Sequence, residues 1–300
     1  MTDIAQGAGS TAVAAPVQIG LVHSEPEART AAHLLAEVWP TLDGHLPIVP
    51  ELIWVFAHTG NYVAVARADD EVIGTAIGIR AYDGEGAYLH SHIAGVAPAW
   101  QGTKVGFHLK QHQRLWALDQ GFERITWTFD PLVARNAYFN VTKLGARLTD
   151  YYPNFYGRMD DGINAGDETD RCLATWDLNA DSVIACASGL HTPPDLQILR
   201  AAGVPTRLCV GAAGEPVEDR SVTGDHQLLE LPSDIVALRQ TDQRLAREWR
   251  ESVRTILMNA FADGYEVSGV TRDAWYVLSA KAEQCDIAAV RALALSHRTG

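Results

Sequence analysis

Val96-Ala97-Pro98-Ala99-Trp100-Gln101-Gly102-Thr103-Lys104-Val105-Gly106 joins two different periodicities. Before it, residues 87–97 read as a strand. After it, residues 103–120 place Val105, Leu109, His112, Leu115 and Trp116 near helical spacing, and Gly121 supplies the stop. The junction itself is a turn of small residues. The first N–H groups of a helix have no partner inside it, and the helix dipole is positive there. A strand–turn–helix junction of this kind is therefore a site for a diphosphate. Gly102 and Gly106 would let a ligand and the preceding strand approach closely, and Lys104 adds a point charge. An ordinary strand-to-helix turn fits the same residues, so the flanking elements have to decide.

Outward from the junction, residues 25–39 form a helix with Leu34, Leu35 and Val38 on one face, stopped by Pro40. A shorter helix spans 47–58. Strands follow at 61–68 and 71–82, joined by a turn at Asp69-Asp70, with a glycine-containing turn at 83–86 before the next strand. Beyond the long helix, 124–130 alternates Ile125, Trp127 and Phe129 as a half-buried strand. Residues 134–143 form a short helix closed by Gly145, and strands lie near 146–152 and 172–178. The order α-α-β-β-β-α-β-α-β-β requires a parallel crossover in a mixed sheet. The expected class is α/β (α+β), a mixed, twisted central sheet flanked by helices.

The chain has 300 residues with 47% hydrophobic and 20% charged, a globular composition whose length suggests two units. Lys and Arg number 24 against 37 Asp and Glu, a net charge of −13, which disfavours nucleic acid and anionic membrane surfaces as partners. No apolar run approaches the ~18 residues that span a bilayer. Residues 1–17 lack a basic start and a long apolar stretch, and read as a small-residue tail rather than a secretory signal. Cys172, Cys186, Cys209 and Cys285 match no zinc or CxxC spacing. They read as reduced thiols of a cytoplasmic protein.

The junction resembles the acetyl-CoA signature of the GNAT acyltransferase superfamily, Gln/Arg-x-x-Gly-x-Gly/Ala. Gln101 and Gly106 stand at its first and last positions, and Lys104 replaces the middle glycine. The run Asn136-Ala137-Tyr138-Phe139-Asn140-Val141-Thr142-Lys143-Leu144-Gly145 resembles the family's second motif, and the element order fits the GNAT fold over about 20–180. The resemblance implies an acyl-CoA co-substrate, acetyl- or succinyl-CoA, held by Ala94, Gly95, Val96, Gln101, Gly102, Thr103, Lys104, Val105, Gly106 and Asn136. It implies no metal. It also implies that adjacent strands splay after His92, so that pantetheine pairs with the backbone around 94–96. The family often has a tyrosine four residues before the Lys-Leu-Gly glycine, as general acid for the leaving thiolate; Val141 holds that position, and Tyr138 lies one turn earlier. Tyr138 is a candidate acid or a core aromatic.

His90 and His92 are two apart on the strand before the turn, and counting back from Val96 puts all three on one face. The stretch resembles the His-x-His strand of arylalkylamine N-acetyltransferases, whose histidines relay a proton from the amine. An ammonium cannot attack a thioester, and imidazole suits its deprotonation near neutral pH. Two other readings stay open: histidines hydrogen-bonded within a half-buried strand, and a metal pair lacking a convincing third ligand.

The expected activity is N-acyl transfer from an acyl-CoA to a small amine or amino acid by direct attack. The alternative is an acyl-CoA-binding or sensor module with weak or no turnover. The chain resembles bacterial members with an N-terminal GNAT domain and a C-terminal extension. The expected domains are a tail at 1–17, the GNAT domain at 18–180 and an α+β extension at 195–300, with Pro193-Pro194 as linker. In the extension, 205–211, 226–231, 265–270 and 275–278 read as strands, and 286–296 as a final helix. Residues 233–262 read as one long helix whose apolar stripe needs cover from the local strands, the first domain or the second subunit of a homodimer; because the local strands are short and few, the extension is expected to pack on the first domain. Arg239, Arg244, Arg247, Arg250 and Arg254 read as its solvated face, and the acidic loop 160–170 as solvated too.

Overall fold

The structure is a computed structural model that describes residues 16–41, 44–157 and 167–280. Most of the expected tail, the helix at 286–296 and Cys285 lie outside the described residues. In the first half, β1 (Val17–Leu21), α1 (Glu25–Val38) and α2 (Pro50–His58) precede three strands: β2 (Tyr62–Ala68), β3 (Glu71–Asp83) and β4 (Gly86–Val96). A 3₁₀ turn (Pro98–Trp100) leads into α3 (Val105–Asp119), then β5 (Arg124–Phe129), α4 (Ala134–Ala137), a π-helical stretch (Tyr138–Lys143), β6 (Arg147–Tyr152) and β7 (Arg171–Asp177). The second half contains α5 (Asp181–Ala187), α6 (Leu196–Ala201), β8 (Thr206–Val210), β9 (Pro216–Glu218), β10 (His226–Glu230), α7 (Ile235–Thr241), α8 (Gln243–Ala262), β11 (Tyr265–Val270) and β12 (Trp275–Ala280).

All these strands form one twelve-stranded sheet in the order β1-β2-β3-β4-β5-β7-β6-β11-β12-β10-β8-β9. Most neighbours are antiparallel; β4–β5 and β10–β8 are parallel. The fold is a mixed α/β sheet flanked by helices, as expected. The two halves meet edge to edge at a single pair, Val267↔Leu148, so the second half extends the sheet. Around that seam Thr142 Oγ1 donates to the Val270 carbonyl at 2.6 Å, and the Tyr276 hydroxyl donates to the Pro131 carbonyl at 2.5 Å. α1 and α2 cover one face of the first half, packing Leu35 and Ile53 on Val63, Val65 and Ile77. α3 covers the other, packing Val105 and Leu109 among Ala64, Ala76 and Leu89.

Three expectations are corrected here. The helix expected over 233–262 is two helices, because Asp242 takes an extended conformation (φ −146°, ψ 87°) and its side chain caps Leu245 N of α8. Arg239 and Arg250 are not solvated: both are buried, each paired with Asp130 after β5 and with Asp167. The acidic loop is not solvated at its end either, since Asp167 and Asp170 are buried, and Arg254 pairs with Asp170. A stripe pattern cannot reveal this, because the partners lie more than 70 positions away in sequence.

Candidate functional site

The first feature of the site is a fork. β4 and β5 pair in parallel at Leu89↔Ile125 and His90↔Thr126, and no β4–β5 pair follows. The strands part after His90, two residues earlier than expected. On β4 the open edge carries Ala94 and Val96. Trp39 Nε1 donates to the Ala94 carbonyl at 3.1 Å and Gln101 Nε2 to the Val96 carbonyl at 3.2 Å. N–H and C=O of one strand residue point to the same edge, so the amides of Ala94 and Val96 also open onto the fork.

The second feature is the start of α3. Its first internal bond runs from His108 N to the Lys104 carbonyl, so the Val105, Gly106 and Phe107 amides have no partner in the helix. No side chain caps this end. Gly102 (φ 82°) and Lys104 (φ 72°) are both left-handed, which is the conformation that a glycine at the middle signature position supplies without strain. A Cβ on Gly106 would meet Val96 Cγ2 at an ordinary 3.6 Å, so protein packing alone does not demand glycine there.

Fork and helix start open onto one cavity of about 1050 Å³. Ten of the expected site residues line it: Ala94, Gly95, Val96, Gln101, Gly102, Lys104, Val105, Gly106, Asn136 and Tyr138. Thr103 does not; its hydroxyl turns back onto the Trp100 carbonyl at 2.6 Å. Among the described residues the lining includes four basic side chains, Lys104, Lys110, Arg135 and Lys143, and no carboxylate. In a chain of net charge −13 that is a strong local reversal of sign. Lys104, Arg135 and Lys143 are exposed, whereas Lys110 is buried. Such a cavity suits an elongated polyanion with an apolar stem.

Tyr138 and Val141 separate clearly. The π-helical winding leaves Val141 buried in the core, while the Tyr138 hydroxyl is buried on the cavity wall with no hydrogen-bond partner.

The histidines require a correction. Ile77 pairs with Ile93 but Gly78 pairs with Ser91, so His92 is an extra residue, a β-bulge. The bulge breaks the parity count. Val96 faces α3 beside Gly106, and Ser91 faces α3 too, where its Oγ accepts from Lys110 Nζ at 2.8 Å. His90, next to Ser91, therefore points to the opposite face from Val96, and neither His90 nor His92 lines the cavity. His90 Nδ1 lies 3.2 Å from Thr126 Oγ1 at the crotch of the fork, and His92 is exposed beside it. Burial, with the neighbouring His92 and Lys110 charges, holds the His90 imidazole below its ordinary pKa; burial lowers that of His92 as well. Both are then neutral near pH 7 and able to accept a proton.

Sequence reading missed Trp39, Lys110, Arg135 and Lys143, and the Cys186–His191 wall contributed by α5 and the chain after it. Lys110 did leave a signal: it is four residues after Gly106, hence on the same helix face. Among the described residues no group of three or more His, Cys, Asp or Glu could hold a metal ion, and no helix is long and apolar enough to cross a membrane.

The sequence model of the GNAT acetyltransferase family matches residues 28–145, the segment from α1 to the end of the second motif. The chain thus carries a GNAT acetyltransferase domain, built on the fork and the α3 start. Solved structures similar to it include the ribosomal-protein-S18-alanine N-acetyltransferase from Escherichia coli. That match has 13% identity and a TM-score of 0.45, and covers 55% of this chain and 96% of that one. A GNAT family acetyltransferase from Elizabethkingia anophelis with acetyl-CoA bound matches at 20% identity (TM-score 0.39), covering 54% of this chain and 97% of that one. Arabidopsis thaliana Naa50, in complex with a bisubstrate analogue, matches at 17% identity (TM-score 0.42), covering 53% and 97% respectively. No curated protein matches the sequence.

Proposed function

We propose that the protein transfers an acyl group from an acyl-CoA to a small amine or amino acid by direct attack within a ternary complex. The observation that carries this reading is the cavity's charge: among the described residues, four basic side chains and no carboxylate in its lining, at an uncapped helix start beside an open strand edge. The Val105, Gly106 and Phe107 amides and Lys104 would take the diphosphate. The Ala94 and Val96 amides would pair with pantetheine, and a β4 amide would stabilise the oxyanion.

In the transfer the amine nitrogen bonds to the thioester carbon and the C–S bond breaks. His90 or His92 accepts the ammonium proton, directly or through water, from the face opposite α3. The leaving sulfur takes a proton from the Tyr138 hydroxyl, which is buried with no hydrogen-bond partner, and the second proton shed by the amine nitrogen as the amide forms returns to Tyr138 through water. The test is thiol release from acetyl- and succinyl-CoA with a panel of amines. The double variant His90→Gln/His92→Gln should lose ~10²–10⁴ in rate while still binding acyl-CoA. A full rate with an unchanged acid limb of the pH profile would remove the histidines from the mechanism.

One observation favours a second reading, an acyl-CoA-binding module without turnover: the family's tyrosine position is Val141, sealed in the core. Absence of thiol release by the wild-type protein across the panel, with acyl-CoA still bound, would select it.

A further inference from the structure

Among the described residues lining the cavity, Lys110 is the buried basic side chain, whereas Lys104, Arg135 and Lys143 are exposed. Lys110 lies about 8 Å along α3 from Val105, at 1.5 Å per residue, and is 7% exposed. Ser91 and Trp127 are the first residues past the last β4–β5 pair. Lys110 Nζ sits between them, 2.8 Å from Ser91 Oγ and 3.9 Å from the Trp127 ring centroid, and 3.2 Å from Gln113 Oε1. The ammonium therefore forms the floor of the fork, where a thioester led in along Ala94 and Val96 would end.

All these partners are neutral, and among the described residues no carboxylate pairs with this lysine. A buried charge without a counter-charge is costly. The fully buried cations elsewhere in the chain, Arg239 and Arg250, each hold two carboxylates. Burial pushes the Lys110 ammonium down to about 7, so an arriving anion would bind and hold the charged form. Gln113 Nε2, on the same helix as Lys110, is also buried with no hydrogen-bond partner.

We propose that Lys110 selects acyl donors whose acyl chain ends in a carboxylate, the ammonium at the floor of the fork supplying the counter-charge. The proposal rests on the reading of the cavity as an acyl-CoA site. Ser91 and Gln113 then position the ammonium, and Trp127 closes its remaining side.

The experiment measures binding of four probes to the full chain by calorimetry: CoA, acetyl-CoA, butyryl-CoA and succinyl-CoA. Butyryl and succinyl have the same carbon count and differ by a methyl against a carboxylate. Wild-type protein should bind succinyl-CoA at least tenfold more tightly than butyryl-CoA. Lys110→Met should bring the two within about twofold while CoA still binds. Equal wild-type affinity for succinyl- and butyryl-CoA overturns the proposal, as does a preference that survives Lys110→Met. If the variant does not fold, the wild-type comparison alone still decides. Failure of CoA itself to bind the wild-type protein would instead overturn the underlying reading of the cavity, and the proposal with it.

Discussion

Three helix starts of the second half are built in the opposite way to the start of α3. In the second half α6, α7 and α8 each begin at an aspartate whose carboxylate accepts from backbone amides: Asp195 from Gln197 N and Ile198 N, Asp234 from Ala237 N, and Asp242 from Leu245 N. In the first half α1, α2 and α3 have no side-chain cap, and α3 opens onto a cavity lined with cations. An N-terminal carboxylate satisfies the same amides and the same positive dipole end that an external anion would use. The second half thus closes these three helix starts with its own carboxylates, and its buried Arg239 and Arg250 pair with Asp130 and Asp167 of the first half. In the first half the α3 start and the β4 edge open onto the cavity. The same backbone physics makes a scaffold in one place and a binding site in the other.

The comparison breaks most completely if the halves are separated. Ending the chain at Leu178 removes β11 from the edge of β6 and both arginines from Asp130 and Asp167. It also removes the cavity wall at Cys186–His191. An exposed sheet edge beside unpaired buried carboxylates favours association over folding. Residues 1–178 should therefore elute as aggregate in size-exclusion chromatography and fail to bind CoA. A monodisperse, CoA-binding fragment would show that the first half needs nothing from the second.

A smaller break targets the internal charges alone. Arg250→Met leaves Asp130 and Asp167 with only Arg239 of the two arginines, and removing one partner of a buried pair costs about 3–5 kcal/mol. Urea unfolding should show that loss. The pH dependence has a definite sign. Arg250 and Arg239 overcome burial and hold the Asp130 carboxyl well below the usual carboxylate range. Its contribution is then fully present above the unfolded pKa of about 4 and is lost as pH falls toward the folded value. The stability gap between wild type and Asp130→Asn should hold constant from pH 7 to about pH 5 and narrow below about pH 4, by up to about 1.4 kcal/mol per pH unit. A constant gap would mean that this carboxylate is not held by the arginines.

Most of the first half was legible in the sequence because its signals are local. The turn-bounded runs of β2 and β3, the alternation in β5, the helical stripe of α3 and the turn between Val96 and Gly106 each need only neighbouring residues. What was hidden depends on register or distance. One extra residue at His92 reverses the face of His90 relative to Val96, and a strand pattern carries no mark of a bulge. β1 went unread because Val17–Leu21 is short and becomes a strand only by pairing with β2. Arg239 and Arg250 look like any charged helix face until Asp130 and Asp167 arrive from the other half. The cavity's ring of cations, assembled from α3 and the α4 region, is invisible in a net charge of −13.

The mildest test concerns Lys104 alone, where the two ways of starting a helix meet in one residue. Its φ of 72° puts a Cβ in the left-handed region, which costs roughly 1–2 kcal/mol relative to the right-handed form. Lys104→Gly removes that strain but adds about 0.5–1 kcal/mol of unfolded-state entropy. The net expectation is a gain of up to about 1 kcal/mol, read as a small rise in melting temperature. The residue also faces the cavity with a charge, and an exposed ammonium beside a phosphate contributes a modest attraction that salt screens. CoA affinity should therefore fall severalfold at low salt and converge on wild type as salt is raised. A variant that gains stability and binds CoA unchanged at every salt concentration would make Lys104 a tolerated irregularity. A variant that loses affinity in the expected salt-dependent way would show that the left-handed lysine is retained for its charge, at the helix start that opens onto the cavity.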